Sequence, residues 1–181
     1  VCAVVVPEST PRTITQWAVF EYVTASRGLP EIGERETLWR EALTMLARVN
    51  VSSFGDSLPR LESLWLSRTA AAPRTDAVSR LRAQLLARRE LVAPVFAHGD
   101  FAPQNMLRTA DGLMLLDWEA FGLASPGFDA GWVCALNAIG AGPQLAPPAM
   151  AAWISTLGIE SELVRHAEGL GLLRLHWRAC R

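Results

Sequence analysis

The chain has 181 residues, half of them hydrophobic, and its 17 basic and 18 acidic side chains leave a formal charge of −1. That apolar content suits one compact globular domain, and the balanced charge offers no field for a polyanion, so neither nucleic acid nor an anionic membrane surface is expected as a partner. All the Lys/Arg positions are arginine, which excludes a Walker-type phosphate loop, a Schiff-base lysine and a Ser-Lys dyad.

Cys2, Cys134 and Cys180 lie far apart without C-x-x-C spacing, which argues against a zinc site or a disulfide framework and for buried thiols in a reducing cytoplasm. No apolar stretch approaches a membrane span, and Val4-Val5-Val6 lacks the flanks of a signal peptide. The sequence opens on Val1 instead of Met, directly in a strand-like run. A missing N-terminal portion is the expectation.

In chain order, Val1 to Val6 and Ile14 to Val23 are β-rich and separated by Pro7-Glu8-Ser9-Thr10-Pro11, which reads as a hairpin belonging to a larger sheet. After Gly28-Leu29-Pro30 the period turns helical, with Leu38, Ala42, Met45, Leu46 and Val49 on one face. Leu58 to Thr69 shows no clear period. Thr75-Asp76 signals a helix start, followed by an apolar face of Val78, Leu81, Leu85 and Leu86 running towards Leu91.

Pro94 to Ala97 leads into His98-Gly99-Asp100-Phe101-Ala102-Pro103-Gln104-Asn105, and Met106-Leu107 and Leu113 to Leu116 flank Asp111-Gly112, a hairpin signal. From Phe128 onward the pattern is helical, interrupted at Gly140 to Pro148 and at Gly158, with Ser161 expected to cap the last helix. The seven tryptophans are scattered from Trp17 to Trp177 and read as core packing. His166 and His176 carry no metal-ligand spacing.

Folding the hairpin about Asp111 sets Asn105 opposite Asp117, unless a bulge slips the register by one residue. Directly opposed side chains stand roughly 5 Å apart, close enough to share one ion. An amide oxygen and a carboxylate suit Mg²⁺, which takes hard oxygen ligands alongside substrate phosphates. Asp100, on the loop entering the hairpin, falls where a base for an attacking hydroxyl belongs.

His98-x-Asp100-x-x-x-x-Asn105 followed by Asp117-Trp118-Glu119 resembles the catalytic and metal-binding segments of the aminoglycoside phosphotransferase and choline kinase-like family. That resemblance implies an α+β, protein-kinase-like fold: a small-lobe remnant with the hinge over residues 1–24, then a mainly helical large lobe over 25–181 carrying the catalytic β-hairpin. It implies ATP and Mg²⁺ as cofactors and a small-molecule hydroxyl as acceptor. Asp100 would orient or deprotonate that hydroxyl, His98 would brace the loop, and Asn105 and Asp117 would hold Mg²⁺. Asp129 would support the catalytic loop from a helix N-terminus, although local capping alone would also explain a carboxylate there.

Trp17 to Val23 resembles the last small-lobe strand and the hinge, with the backbone around Glu21 and Val23 meeting adenine. Glu119 either attends the metal or faces solvent. Acceptors of this family include aminoglycosides, macrolides, choline-like amines, homoserine and sugars; Glu160, Glu162 and Glu168 are the candidates for an acid-lined pocket that would take a cation. The family's strand lysine and Gly-rich loop would lie before Val1, so the chain alone is expected to be a poor kinase. Two alternatives stand beside this reading: a non-catalytic nucleotide- or partner-binding module, and a metal-dependent phosphoester hydrolase. Oligomeric state is not indicated.

Overall fold

The computed structural model describes residues 3–5, 17–19, 37, 39, 41–44, 58–71, 75–87, 93–109, 112–142 and 144–180. Strand β1 (Ala3–Val5) pairs antiparallel with β2 (Trp17–Val19), Ala3 opposite Val19. The two β-rich runs at the start of the sequence therefore do meet. The hinge positions Glu21 and Val23 lie outside the described residues, as do Leu38, Met45, Leu46, Val49, Leu91 and Cys2.

Residues 41–44 are helical. Trp39 and Ala42 are buried, and the Trp39 ring meets Phe101 edge-on at 5.5 Å, so this stretch packs on the loop that carries the site. The 58–69 stretch, without a clear period in sequence, contains helix α1 (Leu61–Arg68). It buries Leu61, Trp65 and Leu66, but the interleaved polar residues leave only a narrow apolar stripe.

Helix α2 (Asp76–Ala87) starts as expected, with the Thr75 hydroxyl accepting the Val78 N–H at 3.2 Å. Leu85 is buried, whereas Leu86 is 41% exposed. Leu86 is thus no part of the apolar face: it sits about 100° round the helix from Leu85, on the solvent side.

Two short ladders position the site. Strand β3 (Val95–Ala97) pairs antiparallel with β6 (Gly122–Ala124), a pairing without a period-2 signal because both strands have only three residues. Between them lies the hairpin of β4 (Met106–Thr109) and β5 (Gly112–Leu115), Met106 opposite Leu115. The β3–β6 ladder therefore closes the base of a loop running from 98 to 121.

Helices α3 (Phe128–Ala138), α4 (Pro147–Thr156) and α5 (Ser161–Ala179) complete the fold. Glycines let α3 and α5 pack closely: a Cβ on Gly131 would stand 2.4 Å from that of Ala167, and one on Gly171 2.7 Å from that of Ala135. Ser161 is not the cap. The N-cap is Glu160, at φ −56° and ψ 125° and without a side-chain cap bond, because Ser161 already belongs to the helix. Cys134 is buried within α3, but Cys180 is exposed past the end of α5, contrary to the expectation of buried thiols throughout. The architecture is α+β, small antiparallel ladders against a helical body.

Candidate active site

The loop leaving β3 is held at its first residue. His98 is fully buried, and its Nδ1 accepts the Asp100 N–H at 3.3 Å, which leaves Nε2 to donate to the Leu116 carbonyl at 2.8 Å. That pair of bonds assigns the Nε2–H tautomer. One imidazole thus ties the start of the loop to the end of β5. Gly99 follows at φ 81°, where a Cβ would come within 2.0 Å of the Ala120 carbonyl oxygen, so only glycine fits.

Asp129 is buried in the first turn of α3 and reaches back across the fold. Its Oδ2 accepts the His98 N–H at 2.8 Å and its Oδ1 the Gly99 N–H at 3.0 Å. Gly127 occupies the N-cap position of α3, with no side-chain cap bond, so the carboxylate serves the loop and not its own helix. Burial pushes the Asp129 carboxyl up; the two N–H donors and the charge of Arg174 pull it back.

Asp100 points its Oδ1 at two arginines of α5. Arg174 Nη2 lies 2.6 Å away and Arg178 Nη2 3.7 Å. Arg174 also donates from Nη1 to the Gly99 carbonyl at 2.5 Å, and its guanidinium is stacked between the rings of Trp65 (4.0 Å) and Trp132 (4.2 Å). Burial lowers its pKa to about 10, so it stays charged at neutral pH. Sequence reasoning missed both arginines. The one available signal is position: Arg174 follows Leu170 by four residues, in the apolar row of α5.

Asn105 is buried, and its Nδ2 donates to the Asp100 carbonyl at 2.9 Å, which leaves Oδ1 for another partner. It does not pair with Asp117. Its carbonyl accepts the Leu116 N–H at 2.8 Å, continuing the register in which Thr109 faces Gly112. With two residues between those partners instead of one, the ladder is shifted by one from the register centred on Asp111. Asp117 comes next, exposed and at φ 62°, where a left-handed backbone ends the strand and redirects the side chain.

Glu119 is exposed on the short 3-10 turn Trp118–Ala120. Glu160 and Glu162 are exposed at the start of α5, roughly 18–21 Å along the helix axis from Arg174 at 1.5 Å per residue. Glu168 is half-buried towards Cys134. The side chains that meet Asp100 are therefore cationic.

The donor set at the hairpin fits Mg²⁺. Asn105 has an amide oxygen without a partner among the described residues and Asp117 an exposed carboxylate, the pair of hard ligands that an ion also held by phosphates and water needs. No group of three His, Cys, Asp or Glu suited to a metal occurs among the described residues.

Residues 2–163 match the model of the phosphotransferase enzyme family, APH, and the chain belongs to that family. A search of curated proteins gave no match. Among solved structures, the chain is similar to LicA in complex with AMP, at 16% identity and TM-score 0.58, over 90% of this chain and 61% of that one. It is similar to macrolide 2'-phosphotransferase type I, at 14% identity and TM-score 0.59, over 94% and 66%. Aminoglycoside phosphotransferase APH(3'')-Id from Streptomyces rimosus ATCC10970 is a third, at 18% identity and TM-score 0.55, over 88% and 68%. The chain thus spans less than two thirds of the length of the first two. At these identities the likeness lies in the fold, which is the kinase-like fold of the phosphotransferase enzyme family, APH.

Proposed function

We propose that this chain carries the phosphoryl-transfer site of a small-molecule kinase, moving the γ-phosphoryl group of ATP to a hydroxyl. The observation that supports this best is the closed loop itself. Asp129 and His98 fasten its entry, and Asn105 fastens its exit to the Asp100 carbonyl, so the backbone that carries Asp100 and Asn105 is held in one closed loop. Asp100 orients the acceptor hydroxyl and receives its proton. Asn105 and Asp117 hold Mg²⁺, which when bound neutralises charge on the phosphates. The backbone around Glu21 and Val23 takes the adenine.

Nucleotide binding is supported by the AMP complex of LicA, and a small-molecule acceptor by the macrolide and aminoglycoside enzymes of similar fold. Two cations beside Asp100, with Glu160 and Glu162 far from it, make a neutral or anionic acceptor the better fit than a polycation. No described helix is long and apolar enough to cross a membrane, and a cytoplasmic location accords with the family's use of ATP. With no lysine to set on the phosphates, transfer by this chain is slow.

Calorimetric titration of ATP with and without Mg²⁺, into the chain and into Asp117→Ala, tests the reading. Mg²⁺-dependent binding that disappears in the variant is the expected result. Binding indifferent to both metal and variant would remove the hairpin from the site. The absence of lysine also favours a second reading, a non-catalytic nucleotide-binding module. It predicts the same binding with no phosphoryl transfer to any hydroxyl, water included.

A further inference from the structure

Arg174 is 3% exposed, and one planar guanidinium makes four contacts at once: the Asp100 carboxylate, the Gly99 carbonyl and the faces of Trp65 and Trp132. It lies on α5, 74 residues after Asp100 and beyond the segment 2–163 that the family model matches. A buried cation is costly unless its partners are fixed. Here two indoles cover the guanidinium, and its Nη1 and Nη2 donate to the Gly99 carbonyl and the Asp100 carboxylate.

The consequence falls on Asp100. Its Oδ1 is held by Arg174 with Arg178 nearby, whereas Oδ2 has no partner among the described residues. The side chain keeps 17% exposure. One oxygen is therefore anchored and the other is left for a ligand. The carboxyl group of Asp129 is turned to the backbone of His98 and Gly99 and does not compete for the arginine's hydrogen bonds.

We propose that Arg174 is a positioning residue for phosphoryl transfer, anchoring Oδ1 of Asp100 so that Oδ2 alone faces the acceptor hydroxyl. This rests on the reading of Asp100 as the proton-receiving group. In the step it serves, the acceptor oxygen forms a bond to the γ-phosphorus as the bond from that phosphorus to the oxygen of ADP breaks. The electron pair leaves with ADP, and the hydroxyl proton passes to Oδ2. A carboxylate free to rotate would offer either oxygen and lose alignment; an error of about 1 Å costs on the order of 100-fold in rate.

The test uses Mg·ATP hydrolysis, with water as the hydroxyl acceptor, in the whole chain and in Asp100→Asn, Arg174→Lys and Trp65→Phe. Lysine keeps the charge but not the planar fork; Trp65→Phe leaves every hydrogen-bonding group of Asp100 and Arg174 in place and loosens one wall of the slot. Expected are a kcat lowered on the order of 100-fold in Arg174→Lys and about 10-fold in Trp65→Phe, with KM for Mg·ATP and calorimetric binding stoichiometry unchanged. Unchanged kcat in both variants overturns the proposal. So does a rate loss matched by an equal loss of binding stoichiometry, since Arg174 then only maintains the fold. Hydrolysis by Asp100→Asn at the wild-type rate overturns instead the reading of Asp100 on which the proposal stands.

Discussion

The carboxylate of Asp129 and the backbone N–H of His98, 31 residues apart in sequence, meet at 2.8 Å inside the protein. The second oxygen takes the Gly99 N–H. Two buried donors thus depend on one side chain. Asp129→Asn has the same shape but only one acceptor oxygen, so an amide NH₂ must face one of those N–H groups. Urea unfolding should show a loss of about 1–3 kcal/mol, the cost of a buried donor left unpaired. A variant as stable as the wild type would mean that water reaches the loop.

Gly99 and Gly140 share a positive φ, 81° and 75°, but differ in surroundings. A Cβ at Gly99 runs into the Ala120 carbonyl, whereas one at Gly140 meets nothing within 4 Å. Gly140→Ala should cost about 1 kcal/mol, the penalty of a left-handed conformation alone. Gly99→Ala should cost at least about 2 kcal/mol more, because backbone must shift as well. Thermal melts of the two variants make the comparison; equal losses would contradict the placement of Gly99 against Ala120.

Cys134 and Cys180 should separate under alkylation. Burial, with the charge of Glu168 behind it, pushes the Cys134 thiol up to about 12. It therefore stays protonated and shielded at pH 8, with a thiolate fraction of about 10⁻⁴. Cys180 is exposed. Iodoacetamide treatment of the folded chain followed by peptide mapping should find Cys180 modified and Cys134 intact, until denaturant releases it. Modification of both at one rate would show that α3 opens readily.

Glu168 gives a pH dependence of known sign. Burial raises its pKa above the ordinary 4.5, so the folded state binds this proton more tightly than the unfolded state does. Its contribution is fully present below the unfolded pKa and is lost as pH rises through the raised folded value. Glu168→Gln should thus match or exceed the wild-type melting temperature at pH 7, with the difference shrinking as pH falls towards 4.5. Because the side chain is only half-buried, solvent screening keeps the gain below about 1 kcal/mol. A variant less stable at pH 7 than at pH 5, relative to wild type, would reverse the sign.

Much of the candidate site was legible because it is local. His98, Asp100 and Asn105 lie within eight residues, and a hairpin of definite length carries the chain on to Asp117. Turn chemistry at Asp111-Gly112 located that hairpin but not its register. One residue of difference in the loop moved Asn105 from Asp117 to Leu116, a distinction that propensity does not encode. Helix starts were read well where a side chain makes the cap, as at Thr75, and poorly where the backbone does, as at Glu160.

By itself the sequence determined the chemistry available: arginine without lysine, the spacing of His98, Asp100 and Asn105, and the alternation of apolar runs that commits the chain to short strands and a helical body. Only the tertiary structure decided that Asp129 turns from its own helix to the loop, and that Arg174 leaves solvent to lie between Trp65 and Trp132 against Asp100. The reason is physical. Such contacts join residues 31 and 74 positions apart, and they are chosen by the packing of α3 and α5, whose close approach is a property of the whole fold and of no single segment.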